Sequence, residues 1–143
     1  MPSNWIEEPL YTKIKENLPI PCVDLLIIYQ GKLLLMLRNN EPGKDLWFIP
    51  GGRVLLGETL EEAVKRVLQK ETGLEPQSIQ QVATMSHFWP TTQTVTTYYK
   101  VTVPTEQVTL NNEHRDHKWI TKPTPNLHPY LQEMITNANV FTE

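Results

Sequence analysis

The chain has 143 residues, a formal net charge of −3 at pH 7 and a single cysteine, Cys22. A chain of this length is expected to form one domain, residues 1–143, and to bury roughly two-thirds of the surface that it exposes when unfolded. The negative charge gives no general attraction for nucleic acid, and no apolar run approaches the roughly 20 residues of a membrane-spanning helix, so neither partner is expected. One cysteine permits no intrachain disulfide, and the first residues lack a signal-peptide pattern, so we expect a protein of the reducing cytoplasm.

Apolar and β-branched stretches bounded by turn residues predict five strands. In chain order they lie at residues 22–29, 33–38, 80–88, 95–103 and 117–120. Helices are predicted at residues 10–16, for about three turns after Thr59, and at residues 126–137. Strands dominate between the helices, an order that favours an α/β fold with a mixed β-sheet sandwiched between α-helices.

The central helix carries clear signals at both ends. Thr59 and Glu62 are three residues apart, which is the spacing of a capping box, and Gly73 is a natural C-terminal stop. Apolar residues recur between them at helical spacing: Leu60, Ala63, Val64, Val67 and Leu68.

Residues 50–74 contain glycines, carboxylates and an arginine that helix amphipathicity does not require. Gly51 and Gly52 follow Pro50, and the set continues with Glu58, Arg66, Glu71 and Gly73. Glycines let backbone groups approach a ligand closely, and carboxylates are hard oxygen ligands that magnesium prefers. The segment therefore predicts a phosphate and metal site built across a loop and a helix.

This spacing resembles the box of the Nudix hydrolases, in which Gly, five residues, Glu and seven residues precede Arg-Glu-aliphatic-x-Glu-Glu-x-Gly-aliphatic. The residues in register are Gly52, Glu58, Arg66, Leu68, Glu71, Gly73 and Leu74. Val67 and Lys70 stand where the family usually has glutamate, so two of the usual metal-ligand carboxylates are missing. The resemblance implies the Nudix fold, a mixed β-sheet between α-helices.

The departures, and the arginine directly after the two glycines, resemble one Nudix subgroup, the GDP-mannose mannosyl hydrolases. The similarity covers roughly residues 10–121, and the matching segments are residues 21–24, 37–38, 47–48, 86–88, 96–99 and 113–114, followed by Trp119. The subgroup implies one divalent cation, magnesium or alternatively manganese, held by the Gly51 carbonyl, Glu71 and Glu113. Glu113 departs from the amide usual there, although a carboxylate is an equally hard donor. The resemblance also implies a homodimer.

The resemblance assigns catalysis to His114, Asp24, Arg38 and Tyr99. His114 is the expected general base, since imidazole in general titrates close to neutral pH. Arg38 and Arg53 are the expected pyrophosphate contacts, because guanidinium groups match phosphate oxygens. Tyr99 is either a core residue or a hydroxyl that donates a hydrogen bond to phosphate, and the resemblance favours the second role. Asp24 stands at the entry of an apolar strand, where a carboxylate is costly unless it is paired or hydrogen-bonded. A sugar hydroxyl or Arg38 could provide that partner.

Other polar residues are given supporting or structural roles. Glu58 and Arg66 are expected to pair with each other and to support the site. His87 is interpreted as structural, with a place on the pocket wall as the alternative.

The implied reaction converts GDP-mannose and water into GDP and mannose, by attack on the anomeric carbon with inversion. One alternative is a pyrophosphohydrolase that attacks phosphorus in a nucleoside diphosphate derivative or nucleoside triphosphate. A second alternative is a Nudix domain that binds nucleotides without turnover. The base and the sugar are the least determined features, because residues 89–94 and the approach to Glu113 differ in length from the subgroup.

Overall fold

A computed structural model describes residues 6–41 and 43–141. Residues 1–5, 42 and 142–143 of the expected domain lie outside this range. The helices are α1 (Leu10–Asn17), α2 (Leu60–Thr72) and α3 (Pro129–Asn137). The strands are β1 (Ile20–Tyr29), β2 (Lys32–Arg38), β3 (Trp47–Phe48), β4 (Gly51–Arg53), β5 (Ser78–Trp89), β6 (Thr92–Thr102) and β7 (His114–Ile120). None of these helices is both long and apolar enough to cross a membrane.

The strands form a seven-stranded mixed sheet. Five are neighbours in the order β3-β2-β1-β6-β5, while β4 also pairs with β1 and β7 with β2. The β1–β6 pair is parallel, and the remaining pairs are antiparallel. The predicted mixed sheet is confirmed.

Two apolar cores lie on opposite faces of this sheet, because successive strand side chains alternate between faces. Val23, Leu25 and Ile27 of β1 share a core with residues of α2, whereas Leu26 and Ile28 share the other with residues of α3. The sheet is therefore sandwiched between helices, as predicted.

The predicted signals at the two ends of α2 are confirmed. The Thr59 hydroxyl accepts a hydrogen bond from the Glu62 backbone N–H at 3.1 Å, and the Glu62 carboxylate accepts one from the Thr59 N–H at 2.9 Å. Gly73 ends the helix with φ 74°, in the left-handed region that favours glycine. These contacts define the two ends of α2, and its Val67 lies directly behind Gly52 of β4.

Several predicted boundaries were wrong. Residues 51–53 were expected in a loop but form β4, and β7 begins at His114 rather than at residue 117. α3 begins at Pro129 rather than at residue 126. Asn126 has φ 69°, and the His128 ring accepts a hydrogen bond from the Tyr130 N–H at 3.0 Å as the N-terminal cap.

Candidate active site

β4 brings Gly51 against Asp24 of β1. Backbone hydrogen bonds join Val54 N–H to the Pro21 carbonyl and Leu25 N–H to the Pro50 carbonyl, each at 2.9 Å. Because hydrogen-bonded and non-bonded pairs alternate in an antiparallel ladder, the Asp24–Gly51 pair is a non-bonded one. The Gly51 carbonyl therefore makes no hydrogen bond to β1 and can bind a ligand.

Only glycine fits at this position. A Cβ atom at Gly51 would lie 2.0 Å from Asp24 Oδ1 and 2.8 Å from the Val23 carbonyl oxygen. At Gly52 a Cβ would meet only Val67 Cγ2, at 3.2 Å. Val67, in the position where the family box usually has glutamate, is 2% exposed and fills the core behind the glycines.

Glu58 and Arg66 join the loop after β4 to helix α2. Arg66 Nε donates to Glu58 Oε2 at 2.7 Å, and Arg66 Nη2 donates to the Arg53 carbonyl at 2.8 Å. The hydrogen bond from Arg66 is the main cause that lowers the pKa of Glu58. The structure thus shows the expected pair, and it positions the backbone that carries Arg53.

Glu71 and His114 meet in a buried cluster. His114 Nδ1 lies 3.1 Å from Glu71 Oε2, with both side chains 3% exposed, although the geometry is not that of a hydrogen bond. Asn111 donates to the same carboxylate oxygen at 2.8 Å. Burial acts to raise the pKa of Glu71, but the contacts with His114, Glu113 and Asn111 outweigh it and lower the pKa.

Glu113 lies beside Glu71 at the edge of this cluster. Burial, and then the nearby Glu71 carboxylate, raise the pKa of Glu113. Lys70, one of the two departures from the family box, is 3.6 Å from Glu113, the residue that departs from the subgroup amide. Both of these side chains are about half exposed, at 56% and 44%, so the pair contributes little to stability.

Two adjacent carboxylates, together with a backbone carbonyl that makes no hydrogen bond to β1, suit a hard divalent cation. The candidate donors are the three that the resemblance predicts: Glu71, Glu113 and the Gly51 carbonyl. Within residues 6–41 and 43–141, no three His, Cys, Asp or Glu side chains form a cluster that could hold a metal by side chains alone. A site here would therefore need the backbone oxygen, waters or substrate oxygens, which magnesium accepts.

A cavity of about 380 Å³ opens over β4, β1, β6 and β5. Its charged part is lined by Asp24, Arg38, Arg53, Glu113 and the two glycines, Gly51 and Gly52. The structure thus brings together most of the residues predicted for the site. Glu113 lines this cavity, whereas His114 is buried beside it against Glu71.

Asp24 is a buried carboxyl on the cavity wall. Burial raises its pKa to about 7, and the charge of Arg38 opposes this shift. Asp24 can therefore offer either a proton or a lone pair to a ligand near neutral pH.

Tyr99 is not brought together with these residues. It is not among the cavity-lining residues and lies on the opposite face of the sheet, in the core that contacts α2, where its hydroxyl donates to Gln81 Oε1 at 3.3 Å. Burial, and then the charge of Glu61, raise the pKa of Tyr99. Its neighbour Tyr98 lies in the other core.

Sequence reasoning missed Tyr11, Lys15 and Asn111. Tyr11 and Lys15 of α1 line the cavity, where the Arg53 guanidinium lies 5.7 Å and the Lys15 ammonium 4.8 Å from the centre of the Tyr11 ring. Asn111 reaches Glu71 from a loop 40 residues away. No spacing rule signals these contacts, because they depend on tertiary packing alone.

Comparison with known proteins relates the chain to one family. Residues 19–135 match the model of the NUDIX domain. The Low-salt glycan biosynthesis protein Agl8 of Haloferax volcanii is 31% identical over 142 residues, which cover 94% of this chain and 91% of that protein. The ADP-ribose pyrophosphatase of Methanocaldococcus jannaschii is 48% identical over 58 residues, which cover 41% of this chain and 34% of that protein.

A solved structure supports the same fold. The MutT NUDIX hydrolase from Burkholderia pseudomallei superposes with a TM-score of 0.75 at 21% identity, covering 85% of this chain and 98% of that one. The family model spans most of the chain, including β4, the Glu58–Arg66 pair and α2. The chain belongs to the Nudix hydrolase family.

Proposed function

We propose that the protein is a magnesium-dependent hydrolase of nucleotide sugars that converts GDP-mannose and water into GDP and mannose. The observation that carries this proposal is that one cavity is lined by Asp24, Arg38, Arg53 and Glu113, with the Glu71–His114 pair buried beside Glu113. Manganese is an alternative metal. Agl8, named for glycan biosynthesis, supports the substrate class, because glycan assembly consumes nucleotide-activated sugars.

His114 is proposed as the general base. Its Nδ1 faces the Glu71 carboxylate, which leaves Nε2 to take a proton from water. The water oxygen then bonds to the anomeric carbon as the bond from that carbon to the diphosphate oxygen breaks. The bonding electron pair leaves with the diphosphate, and the water proton goes to His114.

Arg38 and Arg53 are proposed to stabilise the departing diphosphate. Both line the charged part of the cavity, and forked guanidinium donors match phosphate oxygens. A cation held by the Gly51 carbonyl, Glu71 and Glu113 would supply further charge neutralisation for this leaving group. Asp24 is proposed to bind a sugar hydroxyl on the same wall. Tyr99 has no part in this proposal, because it faces α2.

The loss of two box carboxylates favours attack at carbon. Val67 is buried in the core and Lys70 contacts Glu113, so neither position supplies a ligand for the additional metals that attack at phosphorus commonly uses. Diphosphate is already a weak base, so its departure from a sugar needs no strong general acid.

Hydrolysis in oxygen-18 water tests the bond that breaks. With magnesium and GDP-mannose, we expect the heavy oxygen in free mannose and unlabelled GDP, measured by mass spectrometry. Label in GMP or mannose 1-phosphate would overturn attack at carbon and support the pyrophosphohydrolase. Tight nucleotide binding without metal-dependent turnover across a substrate panel would instead support a binding domain.

We also propose a homodimer of single-domain subunits in the reducing cytoplasm. Burial is the main cause that raises the pKa of Cys22 to about 12, so its thiol stays protonated and is slow to react. The mass in solution, measured by sedimentation equilibrium, should be twice the 16.6 kDa of the chain. A mass of one chain would exclude the dimer.

A further inference from the structure

Asn111 ties the loop that precedes β7 to the last turn of α2. Its Nδ2 donates to Glu71 Oε2 at 2.8 Å and to the Lys70 carbonyl at 3.2 Å, while its Oδ1 accepts a hydrogen bond from the Glu113 N–H at 2.9 Å. The two donor hydrogens and the acceptor oxygen of this side-chain amide are therefore all engaged. One side chain thus contacts both of the candidate metal-ligand residues.

The three partners determine which way the Asn111 amide is turned. A carboxylate and a backbone carbonyl can only accept hydrogen bonds, and a backbone N–H can only donate one. An amide turned the other way would place its oxygen against the Glu71 carboxylate and its NH₂ group against the Glu113 N–H. The arrangement therefore requires a side chain that donates on one side and accepts on the other, as asparagine does.

Asn111 also begins the turn that presents Glu113 and His114. Its Oδ1 accepts from the N–H two residues further on, which is the pattern of an Asx-turn, and its own carbonyl accepts from the His114 N–H at 3.4 Å. On the other side of the turn, the Asn39 N–H donates to the Glu113 carbonyl at 2.9 Å. The turn is thereby held between the end of α2 and the residue that follows β2.

Two carboxylates that lie side by side repel each other. Besides burial, contact with the Glu71 carboxylate raises the pKa of Glu113, as this repulsion requires. Contacts between α2 and the loop before β7 must oppose it. A backbone hydrogen bond from the Thr109 N–H to the Thr72 carbonyl, at 2.9 Å, joins the two segments. The Asn111 amide joins them again and also contacts the Glu71 carboxylate itself.

We propose that Asn111 is a positioning residue, which preassembles Glu71 and Glu113 for a divalent cation and sets His114 beside them. It is not among the cavity-lining residues, so its effect must pass through the residues that it holds. The inference rests on the proposed function in one respect, that these two carboxylates share the cation.

Manganese binding without substrate tests this role, with the free ion measured by electron paramagnetic resonance. Residues that orient metal ligands typically contribute about 10- to 100-fold in metal affinity, so we expect Asn111→Ala to weaken Mn²⁺ binding by about that factor. Asn112→Ala is the matched control, because Asn112 is the next residue of the same turn and is exposed. It should bind Mn²⁺ as the wild type does.

Asn111→Ser separates a positioning role from a purely structural one. A serine hydroxyl can accept from the Glu113 N–H in the same kind of turn, but serine has no group in the place of the Nδ2 that donates to Glu71. Its melting temperature should therefore be closer to that of the wild type than the melting temperature of Asn111→Ala. Its Mn²⁺ affinity should stay as low as that of Asn111→Ala. Recovery of Mn²⁺ affinity together with the melting temperature would overturn the positioning role.

A double variant shows whether Asn111 acts through the carboxylates. Glu71→Gln should weaken Mn²⁺ binding by itself, and adding Asn111→Ala should then cost less affinity than it does in the wild type. Equal Mn²⁺ affinities of Asn111→Ala and the wild type would overturn the inference. The full additional loss in the Glu71→Gln protein would overturn it as well.

The positioning role and the proposed reaction can fail separately, because Mn²⁺ binding needs no turnover. Weaker Mn²⁺ binding by Asn111→Ala, in a protein that releases no mannose from GDP-mannose, would support the positioning role and overturn only the reaction. Release of mannose by the wild type, with a Mn²⁺ affinity that does not depend on Asn111, would overturn only the positioning role.

Discussion

Alanine at Gly51 is expected to abolish most of the activity and to destabilise the fold, whereas alanine at Gly52 should do neither to the same degree. The Cβ of Gly51→Ala would lie 2.0 Å from Asp24 Oδ1 and 2.8 Å from the Val23 carbonyl, so β1 and β4 must separate. The Cβ of Gly52→Ala would meet only a methyl group of Val67, at 3.2 Å, which a small shift relieves.

The expected magnitudes follow from overpacking. Forcing extra atoms into a packed interior costs about 1–3 kcal/mol, which corresponds to roughly 3–9 °C in melting temperature for a chain of this size. Separating the strands also moves the Gly51 carbonyl, so we expect at least about a tenfold loss in kcat and weaker magnesium binding. Thermal denaturation, steady-state kinetics and metal titration measure these three quantities.

A double variant tests the cause. Replacing Asp24 with alanine removes the side-chain clash but leaves the Val23 carbonyl in place, so Gly51→Ala with Asp24→Ala should be more stable than the sum of the single effects predicts. Activity should stay low, because Asp24 is also lost from the cavity wall. Equal melting temperatures and rates for Gly51→Ala and Gly52→Ala would contradict the close approach of β4 to β1.

Local signals in the sequence were sufficient for α2 but not for the elements around it. The Thr59–Glu62 box and Gly73 act within one or two helical turns, so their chemistry can be read from neighbouring residues. β4 has only three residues and is defined by its pairing with β1, a contact between distant parts of the chain. The box spacing located the glycines, but it carried no information about the strand.

The placement of some site residues could not be predicted from the sequence for a similar reason. His114 was left outside the strand predicted at residues 117–120, because charged neighbours hide the strand character of residues 114–118, yet pairing with β2 makes it the first residue of β7. Tyr98 and Tyr99 have the same local sequence signal and face opposite sides of the sheet. Which tyrosine faces α2 depends on the register in which β6 pairs with β1, a contact between distant parts of the chain.

Glutamine at His114 is expected to reduce the release of mannose from GDP-mannose by about 10²- to 10⁴-fold, the range that a positioned general base contributes. An amide cannot take a proton from water, but it keeps a polar N–H group near the Glu71 carboxylate, which lies 3.1 Å from the imidazole. KM and the affinity for GDP with magnesium should therefore change little. Steady-state kinetics and calorimetry on the same preparation separate these effects.

His117→Gln is the matched control for this substitution, because His117 lies on β7 three residues further along and is not among the cavity-lining residues. It should retain the wild-type rate. Near-normal turnover by His114→Gln would remove His114 from the base role. If His114→Gln instead loses magnesium and GDP affinity in proportion to its rate, the imidazole acts by holding Glu71 in place, and the base must be sought among the cavity residues. Asp24 is then the next candidate, since burial raises its pKa to about 7.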